Sequence, residues 1–308
     1  MVQSPKGMET ALSYGYTSKL LLSKPGAISY KSTEKIWRNS MKELFKKMVG
    51  QSKLYYFALT IFAIIFVFSC YMIGSQMLAS AKSEKEYHSI QETYYSSTDH
   101  LDEEAENKED LLQEEETVEE KTEILPKFHS LLEQNSDTVG WIHIPNTVID
   151  YPIVQADDNT CYLDHTFEME KNKAGAIFMD YRNDVEELDQ NTIIYGHHMK
   201  DGSMFKGLAK FRNEDFLLEN KKIVFNSIYE EMEWEIFAVF VTDTDFNYIE
   251  PNFSTEDEFQ EFIEMVKLKS IIPLEYDITQ EDHILTLSTC GYDFDDARIV
   301  VQAKLLND

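Results

Sequence analysis

Cysteine is scarce in this chain and forms no pattern. Only three cysteines occur among 308 residues, at Cys70, Cys161 and Cys290, and no two of them have CxxC spacing. A disulfide-stabilised scaffold is therefore not expected. Cys70 lies inside an apolar run, and both it and Cys161 are interpreted as small hydrophobic side chains. Only Cys290 has neighbours that indicate chemistry.

Basic residues are also scarce where a folded domain is expected. The formal net charge is -28, and residues 124–308 hold 37 acidic against 14 basic side chains. Nucleic-acid phosphates require clustered lysine and arginine, so we expect no nucleic-acid partner. Neither an HExxH motif nor paired-cysteine zinc spacing occurs, so we expect no metal and no cofactor. Asp293, Asp295 and Asp296 are interpreted as a solvated loop rather than a cation site.

A long uncharged run follows a basic N-terminal tail. Residues 54–73 carry no charge and span about 30 Å as a helix, so we predict one transmembrane helix. Residues 1–53 hold ten basic and three acidic side chains, which predicts a cytoplasmic N-terminus and an extracellular C-terminal part. The alternative is a cleaved signal peptide, because Ala79-Ser-Ala81 resembles a cleavage site. Its apolar core and preceding segment would both be unusually long.

Residues 74–123 are predicted to be an acidic extracellular linker or stalk. Within them, residues 82–123 carry sixteen acidic side chains and four lysines, and such a segment cannot bury enough apolar surface to fold alone. We expect a flexible coil that spans roughly 35 Å. A helical stalk is the alternative. The folded domain is predicted over residues 124–308.

Short apolar strands separated by turns dominate this domain. Because no βαβ helices lie between them, a barrel or a sandwich is predicted. Amphipathic helices are predicted at 124–132 and at 254–268, the latter with Ser254 as its N-cap. Strand patterns occur at 140–145, 148–155, 175–180, 191–196, 222–225, 233–242, 284–290 and 297–305.

The last two strands are predicted to form a hairpin that brings a cysteine and an arginine together. Leu285 and Leu287 alternate with polar residues that end at Cys290, and a second alternating run contains Arg298. In an antiparallel pair, Cys290 and Arg298 become cross-strand neighbours about 5 Å apart at the backbone. A catalytic cysteine needs a nearby base or cation, because the thiolate is the nucleophile.

A pair of histidines follows another predicted strand, at Tyr195-Gly-His-His198. A strand that ends at glycine can present an imidazole at the rim of a barrel, so His197 and His198 compete for the role of acid–base group. The other six histidines have no neighbouring signal and are interpreted as ordinary surface or core residues. A zinc site that combines these rings with Cys290 is not favoured, because metal-ligand spacing is missing.

These residues together match a known pattern. The segment Thr286-Leu-Ser-Thr-Cys290, with Arg298 eight residues later and Tyr195-Gly-His197 upstream, resembles the sortases, cysteine transpeptidases of Gram-positive cell envelopes. The resemblance is greatest to class B, covers residues 128–308 and includes Gly175-Ala-Ile-Phe-Met-Asp-Tyr-Arg182. It implies a mainly β fold, a closed sortase-type barrel of about eight strands. An N-terminal helix, an inserted helix before the last two strands and one preceding transmembrane helix complete the implied architecture.

The resemblance also implies a role for each side chain. Cys290 would attack the carbonyl of a threonine in a C-terminal sorting signal, and His197 would protonate the departing amine. Arg298 would stabilise the oxyanion and orient the peptide, and His198 would be a neighbour rather than a second catalyst. Substrate-binding positions similar to the class B groove are Asn159, Leu163, Tyr195, Tyr248, Ile249, Ser288 and Thr289. For Leu163 and Ile249, core packing is the alternative.

The implied partners are surface proteins that carry a sorting signal and an amine of peptidoglycan or of its lipid-linked precursor. The chain would be a single-pass protein of the cell membrane, with a cytoplasmic N-terminus and an extracellular catalytic domain, and would anchor proteins to the cell wall. Three alternatives stay open: a pilin-polymerising sortase that uses a lysine side chain, a cysteine endopeptidase that uses water, and a non-catalytic surface adaptor.

Overall fold

The computed structural model describes residues 37–44, 46–47, 52–105, 123–243, 245–274, 276–291, 293–294 and 296–306, with only the backbone described for 52–54 and 98–105. It divides into two compact units, Met1–Tyr71 and Met72–Asp308. Residues 37–44 and 46–47 are helical. The acidic stretch 106–122, most of the basic tail and Asp295 lie outside the described residues, so the predictions made for them stay predictions.

The first unit contains the beginning of helix α1 (Ser52–Ala105). Apolar side chains cover all sides of this part of the helix and are exposed, as Phe62 (71%) and Val67 (66%) illustrate. An apolar helix without a protein partner on any face is typical of a membrane segment. Within the described residues, Tyr55–Ser97 is the helical stretch that is long and apolar enough to cross a membrane, by length and composition.

The later part of α1 belongs to the hydrophobic core of the second unit. Tyr87, Ile90 and Tyr94 are 5%, 1% and 4% exposed, and the ring of Tyr94 stacks on Trp141 with centroids 4.1 Å apart. The expectation of a flexible coil is therefore wrong for residues 82–105, which are helical. The three apolar residues recur at three- and four-residue spacing, so they form one helix face that can be buried. Glu84 and Glu92 are exposed, whereas Glu86 is 9% exposed and its Oε1 accepts from the backbone N–H of Glu168.

Eight strands close into a barrel in the described part of the second unit. They are β1 (Thr138–His143), β2 (Asp150–Val154), β3 (Ile177–Met179), β4 (Asn191–Tyr195), β5 (Lys222–Ser227), β6 (Glu233–Thr242), β7 (Ile284–Cys290) and β8 (Arg298–Leu305). The order around the barrel is β1-β2-β3-β4-β7-β8-β6-β5, and β5 pairs with β1. The β2–β3 and β4–β7 pairs are parallel. The closed barrel is confirmed, and the sandwich is excluded.

Both faces of β7 are buried, whereas the alternating pattern indicated one buried face. Leu285 and Leu287 belong to the main core as predicted. Thr286, on the other face, is 0% exposed. Its hydroxyl donates to Asn191 Oδ1 over 2.6 Å and accepts from Gln302 Nε2 over 2.8 Å. The Thr286 hydroxyl thus has both a donor and an acceptor partner, which allows it to be buried.

Short helices flank the barrel. Helix α2 (His129–Gln134) follows a 3-10 turn at Pro126–Phe128, and α3 (Glu214–Glu219) follows the 3-10 helix Phe205–Arg212. Helix α4 (Glu256–Lys269) is inserted between β6 and β7, as predicted. Its N-cap is Thr255, whose hydroxyl accepts from the backbone N–H of Glu258, so the predicted cap at Ser254 is one residue too early.

Candidate active site

A cavity of about 300 Å³ lies where the C-terminal ends of β4 and β7 meet the beginning of β8. Nine of the ten candidate residues line it, together with Phe178 and Gly196: Asn159, Leu163, Tyr195, His197, Tyr248, Ser288, Thr289, Cys290 and Arg298. The cavity therefore collects side chains from distant parts of the sequence. Ile249 is not among its lining residues. It packs against a second hydrophobic cluster that includes residues of α4, and a substrate role for it stays a prediction.

Cys290 ends β7 with an exposed side chain. It pairs directly with Arg298, the first residue of β8, which confirms the predicted hairpin. Nη1 of Arg298 donates to the carbonyl oxygens of Asp296 and Ala297 over 2.9 and 3.1 Å. These bonds orient a permanently charged guanidinium beside the strand end that carries the thiol.

Strand β4 brings His197 to the same rim. Tyr195 pairs with Ser288 in the parallel β4–β7 ladder, and two further residues along each chain lead to His197 and Cys290. Nε2 of His197 lies 2.7 Å from the carbonyl oxygen of Leu163. Because a carbonyl oxygen only accepts, Nε2 carries the hydrogen, and Nδ1 is the basic nitrogen of the neutral ring.

Gly196 allows the end of β4 to lie close to the side chains of Ile177 and Phe205. A Cβ atom at this position would lie 2.5 Å from Cδ1 of Ile177 and 2.7 Å from Cγ of Phe205. Both distances are far below van der Waals contact, so a side chain would displace β3, the 3-10 helix or the histidine itself. The glycine therefore fixes where His197 leaves the strand.

The neighbouring His198 has a different environment. Its Nδ1 lies 2.9 Å from the carbonyl oxygen of Cys290, and its backbone forms a bridge with Met204. His198 is not one of the residues that line the cavity. The geometry thus separates the two candidates: His197 borders the cavity, and His198 supports the backbone of Cys290.

Polar side chains next to Cys290 complete the lining. Oη of Tyr248 and Oγ of Ser288 are 2.9 Å apart. Burial raises the pKa of Tyr248 above its ordinary value, so the phenol stays protonated at neutral pH. Thr289 is 3% exposed, and its hydroxyl makes no hydrogen bond within the part of the chain that the structure describes. A buried hydroxyl without a partner is uncommon and invites a ligand.

The remaining cysteine of this unit and the acidic loop have other environments. Cys161 is half-buried, and burial, together with the charge of Asp158, raises the pKa of its thiol, which disfavours a thiolate. Asp293 is not simply solvated, because it forms an ion pair with Arg212 at 2.8 Å. Across the described ranges, no group of three or more His, Cys, Asp or Glu side chains could hold a metal ion.

Asp180 has no functional motif around it in the sequence, but in the structure it contacts two residues of the cavity. It follows β3, is 0% exposed, and accepts hydrogen bonds from Tyr195 and Asn159. The position of an acidic residue directly after an apolar strand could have indicated a buried carboxylate. A buried carboxylate needs several hydrogen-bond partners, so such a position suggests a network.

Comparison with known proteins gives consistent matches. A family model for the sortase domain matches residues 142–306. Sortase B of Listeria monocytogenes serovar 1/2a is 45% identical over 186 residues, which cover 60% of this chain and 76% of that protein. Sortase B of Staphylococcus aureus is 39% identical over 185 residues, which cover 59% of this chain and 76% of that protein.

Solved structures give the same result for the fold. The Staphylococcus aureus sortase B–substrate complex is similar with a TM-score of 0.64 and 32% identity, covering 75% of this chain and 99% of that one. Sortase B from B. anthracis in complex with AAEK1 is similar with a TM-score of 0.63 and 36% identity, covering 75% of this chain and 100% of that one. The residues that match the family model, 142–306, contain strands β2 to β8, the end of β1 and all residues that line the cavity.

Proposed function

Since this chain belongs to the sortase family and is a class B cysteine transpeptidase, we propose that it cleaves the C-terminal sorting signal of a substrate protein after threonine. It then joins that substrate protein to a cell-wall amine. The observation that carries the proposal is the single cavity lined by Cys290, His197 and Arg298. A nucleophile, an acid–base group and a permanent cation in one cavity are the parts that acyl transfer requires.

In the first step, the thiolate of Cys290 attacks the threonine carbonyl carbon and forms a tetrahedral intermediate. The C–N bond then breaks, and His197 gives its proton to the departing amine. The product on the enzyme is a thioester. Leu163 supports this role, because its carbonyl oxygen holds Nε2 and leaves Nδ1 to exchange the proton.

Arg298 stabilises the negative oxygen of the intermediate. Its guanidinium stays charged at any ordinary pH and has five N–H donors, while Nη1 is anchored on two backbone carbonyls. Donors that are already oriented need no rearrangement when charge develops. Thr289, the residue before Cys290, also lines the cavity, and its hydroxyl serves as a second donor.

In the second step, an amine of peptidoglycan or of its lipid-linked precursor attacks the thioester. The amine loses its proton to His197, the C–S bond breaks, and the thiolate of Cys290 is regenerated. In this proposal residues 54–73 anchor the chain in a membrane, the basic tail is cytoplasmic and the barrel is extracellular. The uncharged run and the basic residues before it support this orientation. The partners are then surface proteins that carry a sorting signal.

The test is incubation of the full chain in detergent with NPxTN-, LPxTG- and PPxTG-type peptides, with and without an amine acceptor. We expect a thioester adduct on Cys290 in intact-mass spectra and a ligated product when the amine is present. A lysine side chain as the preferred amine would indicate a pilin-polymerising enzyme. Cleavage that no amine alters, with no ligated product, would favour an endopeptidase that uses water.

Matched variants separate the roles of similar side chains. Cys290→Ala removes the adduct, whereas Cys161→Ala keeps it, because Cys161 does not line the cavity. His197→Ala stops turnover, and His198→Ala retains part of it. Equal loss in both histidine variants would contradict the assignment of the acid–base group. If cells that express Cys290→Ala keep the surface function of the wild type, the chain is a non-catalytic adaptor.

A further inference from the structure

A buried carboxylate lies directly behind the cavity. Asp180 is 0% exposed and does not line the cavity itself, yet its carboxylate accepts five hydrogen bonds. They come from Asn159 Nδ2 (3.0 Å), Tyr195 Oη (2.8 Å), and the backbone N, Nε and Nη2 of Arg182 (3.0, 2.8 and 2.9 Å). A fully buried charge is costly unless it is bonded in this way.

The carboxylate is charged at neutral pH. Burial by itself would raise the pKa of Asp180, but the hydrogen bonds from Arg182, Tyr195 and Asn159 outweigh burial, and the pKa lies below its ordinary value. Arg182 supplies the opposite charge from a side chain that is 33% exposed. Asp180 is therefore a fixed acceptor, and each of its partners is held as a donor.

Two cavity residues take a defined orientation from this acceptor. The hydroxyl hydrogen of Tyr195 points to Asp180, so the Tyr195 oxygen can offer a partner only its lone pairs. Asn159 gives one Nδ2 hydrogen to Asp180 and accepts the backbone N–H of Tyr181 at Oδ1 over 3.0 Å. A flipped amide would set Oδ1 against the carboxylate, so the flip is excluded, and the second Nδ2 hydrogen is a donor for another group.

The same network reaches a further part of the lining. Nη2 of Arg182 donates to the carbonyl oxygen of Ile249 over 2.8 Å. Ile249 follows Tyr248, whose hydroxyl bonds to Ser288, two residues before Cys290. Asp180 is thus connected through Arg182 to the loop that carries Tyr248, and through Tyr195 to the strand that precedes His197.

We propose that Asp180 is a positioning residue for the peptide substrate, which acts through Tyr195, Asn159 and Arg182. It fixes the Tyr195 oxygen as an acceptor and the Asn159 Nδ2 group as a donor on the cavity lining. An extended peptide backbone offers the complementary N–H and C=O groups. This inference rests on the proposed function, because the occupant is the sorting-signal peptide. Asp180 touches neither the thiol nor the reacting carbonyl, so its effect falls on peptide binding and alignment.

The test compares Asp180→Asn with the control Asp282→Asn in the full chain. Asp282 is also a mostly buried carboxylate, 11% exposed and paired with Lys304, but it precedes the opposite end of β7, about 20 Å from Cys290 along the strand. With an NPxTN-type peptide and an amine acceptor, we expect Asp180→Asn to raise KM about 10- to 100-fold, the loss of hydrogen bonds to a charged group. The control should leave KM unchanged.

Two readouts distinguish positioning from damage to the nucleophile. The rate at which iodoacetamide alkylates Cys290 should be the same in Asp180→Asn and in the wild type. Tyr195→Phe breaks the same connection from the cavity side while Asp180 stays paired with Arg182, so it tests the proposal even if Asp180→Asn fails to fold. The two changes combined should raise KM by less than the product of the single effects, because both alter the hydrogen bond between Tyr195 and Asp180.

Opposite results would overturn the proposal. Asp180 does not act through Tyr195 if KM is unchanged in both Asp180→Asn and Tyr195→Phe. The same conclusion holds if the double variant raises KM by the product of the two single effects. If the wild type ligates none of the peptides, the proposed function fails instead. The affinity of a fluorescent NPxTN-type peptide for Cys290→Ala, with and without Asp180→Asn, then decides whether Asp180 positions a peptide.

Discussion

Truncation of one aromatic side chain on α1 tests whether this helix is part of the folded domain. Tyr94 is 4% exposed and stacks on Trp141 with ring centroids 4.1 Å apart and planes 3° apart. Its ring also lies 5.5 Å from that of Phe128, and its hydroxyl is 3.3 Å from Nδ2 of Asn226. Tyr94→Ala therefore removes a ring from the main core and leaves a cavity over Trp141.

The expected loss of stability follows from the removal of a buried ring and of its stacking contact. Removal of a buried aromatic ring costs about 3–5 kcal/mol of the free energy of unfolding, and stacking contributes about 0.5–1.5 kcal/mol of this. Tyr94→Phe keeps the ring and loses hydrogen bonding at its hydroxyl, which includes the bond from Asn226, so we expect a loss of about 0.5–1.5 kcal/mol. His88→Ala, on an exposed face of the same helix, should change stability by about 0.5 kcal/mol or less.

Urea unfolding of the full chain in detergent micelles, followed by tryptophan emission, measures these differences. The comparison uses midpoints at constant m-value, so that a change in midpoint reports stability. A loss of less than about 1 kcal/mol for Tyr94→Ala would refute the reasoning. It would show that residues 82–97 belong to an independent stalk, as the acidic composition of residues 82–123 predicts.

Three further predictions follow from the site and its supports. Gly196→Ala should cost about 1–3 kcal/mol and lower kcat, because the new Cβ would overlap Ile177 and Phe205; an unchanged melting temperature would contradict this. Arg298→Lys should lower kcat/KM about 100- to 1,000-fold in steady-state assays, because lysine lacks the planar fork; retention of full activity would exclude an oxyanion role. The folded-state pKa values of Asp180 and Asp282 are lowered, Asp282 by its bonds to Thr279 and Lys304 against the effect of burial. Their stabilisation is therefore complete above the unfolded pKa of about 4 and is lost as pH falls through the folded values. The urea midpoint should therefore decrease as pH is lowered from 6 to 3. In Asp282→Asn the decrease in midpoint should be smaller than in the wild type.

Much of the fold could be predicted because its signals are local. The strands were recognisable from alternation and turn residues, and α4 from the spacing of Phe259, Phe262 and Val266. The hairpin of Cys290 and Arg298 needed only the pairing of consecutive strands. The closed barrel and the grouping of nine candidate residues around one cavity came from the family resemblance, because periodicity alone left a sandwich open.

Four features are readable along the chain without any contact information: the uncharged membrane-length run, the strand pattern, the pairing of Cys290 with Arg298, and the histidine that follows glycine. Three others come from the folded molecule: β4 lies parallel to β7, residues 82–97 pack on the barrel, and Asp180 bonds to Tyr195. These three depend on contacts between residues distant in the chain. Periodicity reports which side of an element is apolar, and burial of a charge or of an acidic helix is stable only when distant partners supply its hydrogen bonds and its apolar contacts.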